Sequence, residues 1–566
     1  MEITGKEKQV RPVFHREGNM QEVTATLRGV KFHQKVTDKG KGLVEISIDA
    51  LSDTTLNQAA YYCIALSPEN YVDAKVRTSG RKLTVTSANR KLEFKFNKSV
   101  KATVEKESTG TVVYISLMPI LKKAGRTALS MELHASGVID HSDAEITLDM
   151  QNPGSLFAGF GGNFRLQNPA ADPKVIDYCL ENLRVAYGRV EFPWRLWQPE
   201  EESDPIAVAQ NGGTEQAGGG KSPHGKTLEG DGNAGNTKLL VSRLHGPIDG
   251  GPASYARQGG VIAYRLDNRK KEKIYKSMAD YLLYAKRYYG IEFSMFSFNE
   301  SDLGIDVLHT PQEHADFIKE FGAYLAGLNL PTRMLLGDNS DATTFDFILP
   351  ALNNPETHKY IGAVSFHSWR GCDDVTLRKW ADAAKEINVP LLVGEGSTDA
   401  AAHGYAEIFN ESTFALYEIN LYTRICTICQ PLSILQWQLT SDYSLLWGGG
   451  IYGSKGPLRP TQRFWNIKQL ASTPADALAI PVSSSKKNVN CAAFGNMVRG
   501  EYAVHMVNNG ADCEAVISGI PAEVKKLKVY VTNTKDCMKE TAVKVENGQV
   551  RVHLPAISFI TLLSDK

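Results

Sequence analysis

Apolar and polar residues alternate one by one through much of residues 20–150, with short breaks between the runs. In the segment 82–96 (KLTVTSANRKLEFKF), two such runs flank a turn, which is the pattern of a β-hairpin. We therefore predict an N-terminal β-rich domain over residues 1–150. The same alternation returns near the end of the chain and predicts a C-terminal β-sandwich over residues 475–566.

Between these two regions, short apolar runs alternate with amphipathic segments. Strands and helices in alternation are typical of parallel strands joined by crossover helices. The candidate strands are 156–160, 183–190, 238–242, 293–298, 332–336, 362–366, 390–393 and 433–437. Eight such units fit an α/β fold of the (β/α)8 TIM barrel type, which we predict over residues 151–474.

The helix after the fourth strand has a clear beginning. Thr310 is a candidate N-cap, Pro311 stands at the first helical position, and Glu313 completes a capping box. Between the second and third strands, by contrast, stands the glycine-rich stretch 210–236. Glycine costs a helix about 1 kcal/mol per residue, so we expect a loop there instead of a long helix.

Composition excludes several classes of protein. The 566 residues include 63 Lys and Arg against 63 Asp and Glu, whereas nucleic-acid-binding domains usually carry a basic excess. An apolar content of 42% is enough to build a core. We find no apolar run as long as a membrane helix requires. The first 14 residues lack the apolar centre of a signal peptide, so the protein is either cytoplasmic or has lost a leader.

Two carboxylates follow apolar strands. Glu300 comes directly after FSMFSFN at the end of the fourth strand, and Glu395 follows PLLVG at the end of the seventh. In a TIM barrel the carboxyl ends of the strands surround the active site, so we expect both side chains there. A carboxyl pair is the equipment for glycoside hydrolysis, in which one group protonates the departing oxygen and the other attacks the anomeric carbon.

The order of these elements resembles the clan of retaining (β/α)8 glycosidases, and glycoside hydrolase family 30 in particular. The segments that are similar to family motifs are GFGGNF (159–164), GRVEF (188–192), FHSW (366–369), QWQLTSDYSLLWGGG (436–450) and the closing VHLPAISFITLL. By this resemblance Glu300 is the acid/base, Glu395 the nucleophile, and Asn299 a donor to the sugar 2-hydroxyl. The sequence departs from the family at Gly394 and Gly396, beside the nucleophile, and in its long N-terminal region.

Further candidates for substrate binding lie at the strand ends. Arg189 is expected to reach Glu395 and keep it ionised, because a cation within about 4–6 Å lowers the pKa of a carboxylate by about 1–3 units. The alternative is an interior arginine that satisfies backbone groups. His367 is either a donor to a sugar hydroxyl or to the nucleophile, or a core histidine. His245, past the third strand, is a weaker candidate.

Tryptophan rings stack on sugar faces, which makes several tryptophans candidates for subsites. Trp437, on the eighth strand, is expected to lie under the sugar at subsite −1. The others either line further subsites or pack in the core; they are Trp194, Trp197, Trp369 and Trp447.

The sequence predicts neither a cofactor nor a metal. An HExxH motif is missing, the histidines lack ligand spacing, and Cys426 and Cys429 form a CxxC without a second pair. The carboxyl pair and the resemblance to glycoside hydrolase family 30 together imply a retaining β-glycoside hydrolase whose partner is its carbohydrate substrate. Two alternatives stay open: a non-catalytic carbohydrate-binding protein on the same barrel, and a barrel enzyme of other chemistry such as a lyase. Oligomeric state is not predicted.

Overall fold

The computed structural model of the protein describes residues 12–52, 59–66, 71, 73–107, 110–118, 125–210, 238–244, 257–258, 265–305, 307–398 and 405–564. The chain divides into two compact units, with the main boundary between Asp140 and His141. Within the described ranges, we find no helix with the length and apolar character needed to cross a membrane.

The first unit is built of antiparallel strands. They are β1 (Val13–Glu17), β2 (Met20–Leu27), β3 (Val30–Gly40), β4 (Leu43–Ser52), β5 (Ala60–Leu66), β6 (Lys75–Ser79), β7 (Lys82–Thr86), β8 (Arg90–Phe96), β9 (Ala102–Glu107), β10 (Gly110–Met118) and β11 (Gly125–Gly137). One sheet has the order β1-β2-β3-β4-β11-β8-β7-β6 and the other β5-β10-β9. The hairpin predicted over residues 82–96 is confirmed as β7 and β8.

The second unit holds the remaining strands. They are β12 (Ala144–Leu148), β13 (Leu156–Phe157), β14 (Gly161–Phe164), β15 (Tyr187–Phe192), β16 (Lys238–Leu244), β17 (Arg257–Gln258), β18 (Arg265–Leu266), β19 (Phe293–Phe296), β20 (Arg333–Asn339), β21 (Ile361–His367), β22 (Leu391–Gly396), β23 (Ser433–Gln436), β24 (Leu446–Trp447), β25 (Arg459–Pro460), β26 (Ala477–Ile480), β27 (Val482–Ser484), β28 (Val489–Asn496), β29 (Glu501–Asn508), β30 (Cys513–Ser518), β31 (Lys526–Thr532), β32 (Lys539–Lys544), β33 (Gln549–Leu554) and β34 (Ser558–Ser564).

Helices of the second unit connect and cover these strands. The α-helices are α1 (Asp172–Asn182), α2 (Trp194–Trp197), α3 (Pro205–Gln210), α4 (Lys271–Tyr289), α5 (Pro311–Gly327), α6 (Leu349–Leu352), α7 (Pro355–His358), α8 (Asp374–Glu386), α9 (Ser412–Ile428) and α10 (Gln462–Ala471). Helix α5 begins as predicted, because the Thr310 side chain and Glu313 form a capping box. In the glycine-rich stretch, Gln210 ends α3, and residues 211–236 lie outside the described ranges.

A curled parallel sheet organises this unit. Strands β14, β15, β16, β19, β20, β21, β22 and β23 lie side by side in that order, and β14 also pairs with β23. Side chains alternate between its two faces: Leu335, Ala363 and Leu392 form a cluster on one face. Their neighbours Met334 and Val364 pack with the helices on the other. The predicted alternation of parallel strands and helices is confirmed.

The first strand of this sheet differs from the prediction. Residues 156–160 were expected to form it, but β13 pairs with β26 of the C-terminal region, and the sheet begins with β14. Glycines conceal β14 in the sequence, since GGNF has little apolar content. Gly161 is needed by the packing, because a Cβ there would lie 2.6 Å from the backbone oxygen of Tyr187 and 2.3 Å from Leu435 Cδ2.

The C-terminal region is rich in strands, as predicted. One sheet has the order β27-β12-β30-β33 and the other β13-β26-β28-β29-β34-β31-β32. Strand β12 lies within the N-terminal domain that the sequence predicted over residues 1–150, yet it pairs in parallel with β30 and antiparallel with β27. Its pairing therefore places residues 144–148 with the C-terminal strands.

Candidate active site

Five charged side chains converge at the carboxyl ends of the parallel strands. They come from β15, the turn after β19, β20, β21 and β22, and we refer to them as the charged cluster: Arg189, Glu300, Asp338, His367 and Glu395. All five are buried, and Glu300 is the most accessible at 9% exposure. Polar groups at this end of a parallel barrel sheet are the ones that meet a substrate.

The two predicted carboxylates lie close together. One oxygen of Glu300, one of Glu395 and His367 Nδ1 are all within 4.8 Å of one another. The His367 nitrogen is 2.9 Å from Glu300 Oε1 and 3.5 Å from Glu395 Oε2. Retaining glycosidases hold their carboxyl groups about 5–5.5 Å apart, whereas inverting enzymes leave about 6.5–9.5 Å for a water. The bound of 4.8 Å between one oxygen of each carboxylate is shorter than the gap that inverting enzymes leave.

Arg189 makes the contact that the sequence suggested. Its Nη1 donates to Glu395 Oε1 at 2.7 Å, and its Nη2 donates to Asn299 Oδ1 at 2.7 Å and Asp338 Oδ2 at 2.8 Å. Burial alone would lower the pKa of Arg189, but the charges of Asp338 and Glu395 raise it above its ordinary value. The guanidinium is therefore always charged, and it favours the ionised form of Glu395.

His367 bridges the carboxylates. Its Nδ1 contacts Glu300, and its Nε2 lies 3.0 Å from Asp338 Oδ1. Burial alone would lower the pKa of His367, but Glu395, Asp338 and the hydrogen bonds together raise it to about 10. At neutral pH the ring is an imidazolium that donates from both nitrogens.

Asp338 was missed by the sequence analysis. It is fully buried and also accepts a hydrogen bond from Ser297 Oγ at 2.8 Å. Burial raises the pKa of Asp338, but the charges of Arg189 and His367 outweigh it and hold that pKa well below its usual range. The rule that found Glu300 and Glu395 could have found it, because Asp338 directly follows the apolar run of the fifth strand and Gly337.

Two asparagines accept hydrogen bonds from Arg189 at the charged cluster. Asn163 on β14, also missed, accepts a hydrogen bond from Arg189 and donates to the backbone oxygen of Gly394 at 3.0 Å. Asn299, predicted as a substrate ligand, accepts from Arg189 through Oδ1. Its Nδ2 is buried and finds no acceptor among the described residues. That N–H group is available to a bound molecule.

Two tryptophans lie at the charged cluster. Trp369 Nε1 donates to Glu395 Oε2 at 3.2 Å, and its ring meets that of Trp437 edge to face with centroids 6.4 Å apart. The Trp437 backbone N–H donates to the Gly396 oxygen at 2.8 Å, which fixes the end of the eighth strand beside the strand that carries Glu395. Both predicted aromatic positions are thus adjacent to Glu395 or its strand.

Other tryptophans lie elsewhere. Trp194 and Trp197 have no exposed surface, and their Nε1 atoms donate to the Ser277 hydroxyl at 2.9 Å and the Ser277 backbone oxygen at 3.0 Å. The subsite role predicted for Trp194 is therefore corrected to core packing against α4, since a ring enclosed by protein cannot stack on a sugar. Trp447 packs against Tyr452, and His245 lies outside the described residues.

The side chains of this site are arranged for binding a proton more than for binding a metal ion. Among the described residues, Glu300, His367 and Glu395 form the group with metal-ligand spacing. Both His367 nitrogens, however, are engaged with carboxylates, and Arg189 already neutralises Glu395. Three carboxylates and two cations need one added proton to be neutral. The arrangement suits proton transfer at one carboxylate and nucleophilic attack by the other.

Comparisons with solved structures identify the fold. The chain is similar to a GH30 endoxylanase from Clostridium papyrosolvens C71 (14% identity, TM-score 0.59) and to a GH30 subfamily 8 xylanase from Clostridium acetobutylicum (15%, 0.59). It is also similar to a GH51 arabinofuranosidase from Xanthomonas axonopodis pv. citri (12%, 0.52). Each match covers 75% of this chain and 100% of the other.

Neither a protein-family model nor a curated protein sequence matches the chain. At these identities the likeness establishes the fold. The chain has the fold of the clan A glycoside hydrolases, and its similarity to glycoside hydrolase family 30 is confirmed at the level of the fold.

Proposed function

We propose that this protein is a retaining β-glycoside hydrolase that cleaves β-linked glycans or glycosides by double displacement. One observation carries the proposal: Glu300 and Glu395, at the ends of the fourth and seventh strands, each place a carboxylate oxygen within 4.8 Å of the other around His367. The parallel sheet then serves as a complete (β/α)8 barrel over residues 151–474, between an N-terminal β domain and a C-terminal sandwich.

Glu395 is the nucleophile in this mechanism. Arg189 and Trp369 each donate to its carboxylate and hold it ionised and oriented. One oxygen of Glu395 attacks the anomeric carbon while Glu300 gives its proton to the glycosidic oxygen. The bond between that carbon and oxygen breaks, the electron pair leaves with the alcohol, and a glycosyl ester remains on Glu395.

Glu300 then changes its role. As a carboxylate it takes a proton from a water molecule, whose oxygen attacks the anomeric carbon and displaces Glu395. The products are the free sugar with its original anomeric configuration, ionised Glu395 and protonated Glu300. His367, hydrogen-bonded to Glu300, is close enough to stabilise it when it is ionised.

The sugar is held by the groups around this pair. The buried Nδ2 of Asn299, which has no acceptor within the described part of the chain, donates to the 2-hydroxyl next to the anomeric carbon. Trp437 is the platform under the ring at subsite −1, and Trp369 positions the nucleophile.

The substrate is found by screening. The structural neighbours are described as xylanases and arabinofuranosidases, so a pentose at subsite −1 is the first choice. Aryl β-glycosides of xylose, glucose, galactose, fucose and glucuronic acid, with an aryl α-L-arabinofuranoside, cover the candidates. Glycan binding by the native protein without turnover of any of these would favour the non-catalytic carbohydrate-binding alternative.

The Glu395→Ala variant tests the central claim. Loss of the nucleophile should lower kcat by at least ~10⁴-fold, and added azide should restore part of it by attacking from the vacated side. The product, identified by proton NMR, should be the α-glycosyl azide. A matched control is Glu191→Ala. Glu191 lies on β15, and its Oε1 is 3.0 Å from Arg165 Nε, so the variant removes a different carboxylate and should show no azide rescue. A β-glycosyl azide would contradict the retaining assignment.

A further inference from the structure

Asp338 connects both cations of the charged cluster. Its Oδ2 accepts from Arg189 Nη2 at 2.8 Å and its Oδ1 accepts from His367 Nε2 at 3.0 Å. The same guanidinium donates to Glu395 at 2.7 Å, and the same imidazole contacts Glu300 at 2.9 Å. Each cation therefore bridges Asp338 to one of the two carboxylates proposed to react.

The backbone around Asp338 is also held in place. Gly337 and Asp338 have φ values of +97° and +60°, and a Cβ on Gly337 would lie 2.4 Å from the Ser365 oxygen. The Gly337 N–H donates to His314 Nε2 at 3.0 Å, and the Glu300 N–H donates to the Asp338 backbone oxygen at 3.1 Å. A non-glycine residue keeps a positive φ at a cost, so its surroundings must hold it there. Asp338 thus fixes Glu300 through its backbone as well.

We infer that Asp338 is a positioning residue, which holds Arg189 and His367 against Glu395 and Glu300 and supplies the negative charge that keeps a proton on the Glu300–His367 pair. This inference rests on the proposed function for its catalytic consequence. Asp338 is fully buried, and it acts through the two cations it binds.

Charge balance explains the need for a third carboxylate. The charged groups facing one another are Arg189 from β15, Glu300 after β19, Asp338 from β20, His367 from β21 and Glu395 from β22. His314 of α5 also faces this end, but burial lowers its pKa to about 3 and it is neutral. With Glu300 protonated, the charges of the cluster sum to zero.

The net charge of the cluster stays at zero during the proposed reaction. In the glycosyl-enzyme, Glu395 is an ester without charge and Glu300 has become a carboxylate, so the sum is again zero. Without the Asp338 charge the cluster would carry one net positive charge in both states. A positive cluster releases protons more readily, which lowers the apparent pKa of the coupled Glu300–His367 pair.

The Asp338→Asn variant tests this inference. The alkaline limb of kcat/KM should move to lower pH by about 1–3 pH units, because the removed charge no longer favours the protonated pair. Since Asp338 has no exposed surface, kcat should fall while KM stays within a few-fold. The His367 imidazole, followed by nitrogen-15 NMR and assigned by loss of its signal in His367→Gln, should titrate at least one pH unit lower than in the native protein.

Two variants separate positioning from a merely structural role. Asp338→Glu keeps the charge, so it should keep the alkaline limb while kcat drops. Asp172→Asn removes another buried carboxylate, 1% exposed, whose partners are backbone N–H groups and Ser441, and it should leave the alkaline limb unchanged. An unmoved limb and an unmoved His367 titration in folded Asp338→Asn would overturn the inference.

The native protein provides a test that needs neither folding of the variant nor turnover. Its His367 imidazole, assigned as above with His367→Gln and without any Asp338 variant, should still be doubly protonated at pH 8, with both ring nitrogens at imidazolium shifts. A neutral imidazole at pH 7 would overturn the inference even for an active glycosidase. Conversely, an imidazolium in a protein that hydrolyses no glycoside would contradict the proposed function and leave the Asp338 arrangement standing.

Discussion

The two carboxylates proposed to react have the same chemistry but different neighbours, and this difference supports the different roles proposed for them. Glu395 accepts hydrogen bonds from the Arg189 guanidinium and the Trp369 indole, which stabilise a carboxylate ready to attack. Glu300 contacts the His367 ring and is the most accessible member of the cluster. An acid/base must exchange its proton with the leaving group and with water, so the accessible position suits it.

The acid role of Glu300 predicts a dependence on the leaving group. In Glu300→Ala, a substrate with an unactivated alcohol as leaving group should lose about 10²–10⁴-fold in kcat/KM, because no acid protonates the oxygen. A dinitrophenyl glycoside should lose far less, since its phenolate departs unprotonated. Both are measured by initial rates on the two substrates.

The neighbouring Asp302 supplies the control. It accepts hydrogen bonds from the Ser340 backbone at 3.0 Å and from its hydroxyl at 2.7 Å, on the same turn as Glu300. Asp302→Asn should affect both substrates in the same proportion. If Glu300→Ala did likewise, Glu300 would not be the acid.

At the scale of strands and helices, the sequence pattern predicted those elements whose residues are determined by their neighbours along the chain. Seven of the eight predicted strands overlap strands of the parallel sheet, and the apolar runs that mark them lead directly to Glu300 and Glu395. Helix α5 was predicted to its first residue because its cap lies within four residues of sequence. The hidden strand β14 shows the limit, since its glycines are chosen by close packing against a strand far away in the chain.

The site residues that were missed or misassigned depend on distant partners. Asn163 acts through Gly394 and Arg189, and its flanking sequence does not mark it. The position of Asp338 at a strand end is visible in the sequence, but its contacts with Arg189 and His367 are not. Trp194 follows a strand that carries a site residue, but its ring turns to α4. Which way a side chain turns after a strand end is set by tertiary packing, and the sequence pattern does not contain it.

A second buried ion pair fixes the elements behind β22, the strand that carries Glu395. Glu418 of α9 accepts from Arg463 of α10 at 2.8 and 2.9 Å, and from Ser397 Oγ, two residues past Glu395, at 2.9 Å. Arg463 also donates to the backbone oxygens of Tyr443 and Ser444. The pair joins two helices to the ends of the seventh and eighth strands.

Breaking this pair should destabilise the second unit. Glu418→Gln leaves the Arg463 charge buried with no counter-charge from its former partner, which typically costs about 3–5 kcal/mol. Urea unfolding followed by circular dichroism measures the change. A matched control is Asp374→Asn, whose partner Arg424 lies on the same helix α9; the Asp374 side chain is 52% exposed, so the loss should stay under about 1 kcal/mol. Equal losses in the two variants would refute the structural role of the buried pair.

At the scale of the whole molecule, the two sheets of the C-terminal region take strands from chain segments before and after the parallel sheet. Strands β12 and β13 precede the sheet, β26 to β34 follow it, and β12 pairs in parallel with β30. Phe157 on β13 and Phe494 on β28 meet with ring centroids 4.7 Å apart, within the same apolar core that backs the sheet. A pairing across more than half the chain is beyond any local pattern, which explains why residues 144–148 were placed in the N-terminal domain.

This assembly predicts where the second unit must begin. A chain of residues 141–566 retains β12, whereas one of residues 151–566, cut at the boundary that the sequence suggested, leaves β27 and β30 without the strand between them. The shorter chain also loses the burial of Ile146 and Leu148, which are 0% and 8% exposed and stabilise by about 1.5–3 kcal/mol each. It should unfold at lower temperature or fail to be soluble, as scanning calorimetry and soluble yield would measure.

The assignment of β12 to the second unit can also be tested in the full-length chain, where the edges of β27 and β30 stay covered. Ile146→Ala removes a side chain from the sandwich core and should cost about 2–5 kcal/mol, while Glu145→Ala, on the outward face of β12, should cost less than about 0.5 kcal/mol. If β12 instead belonged to the N-terminal sheets, the 151–566 chain would match the 141–566 chain in stability. The calorimetric domain that loses stability in Ile146→Ala would then be the N-terminal one, so the two assignments of this strand lead to opposite results.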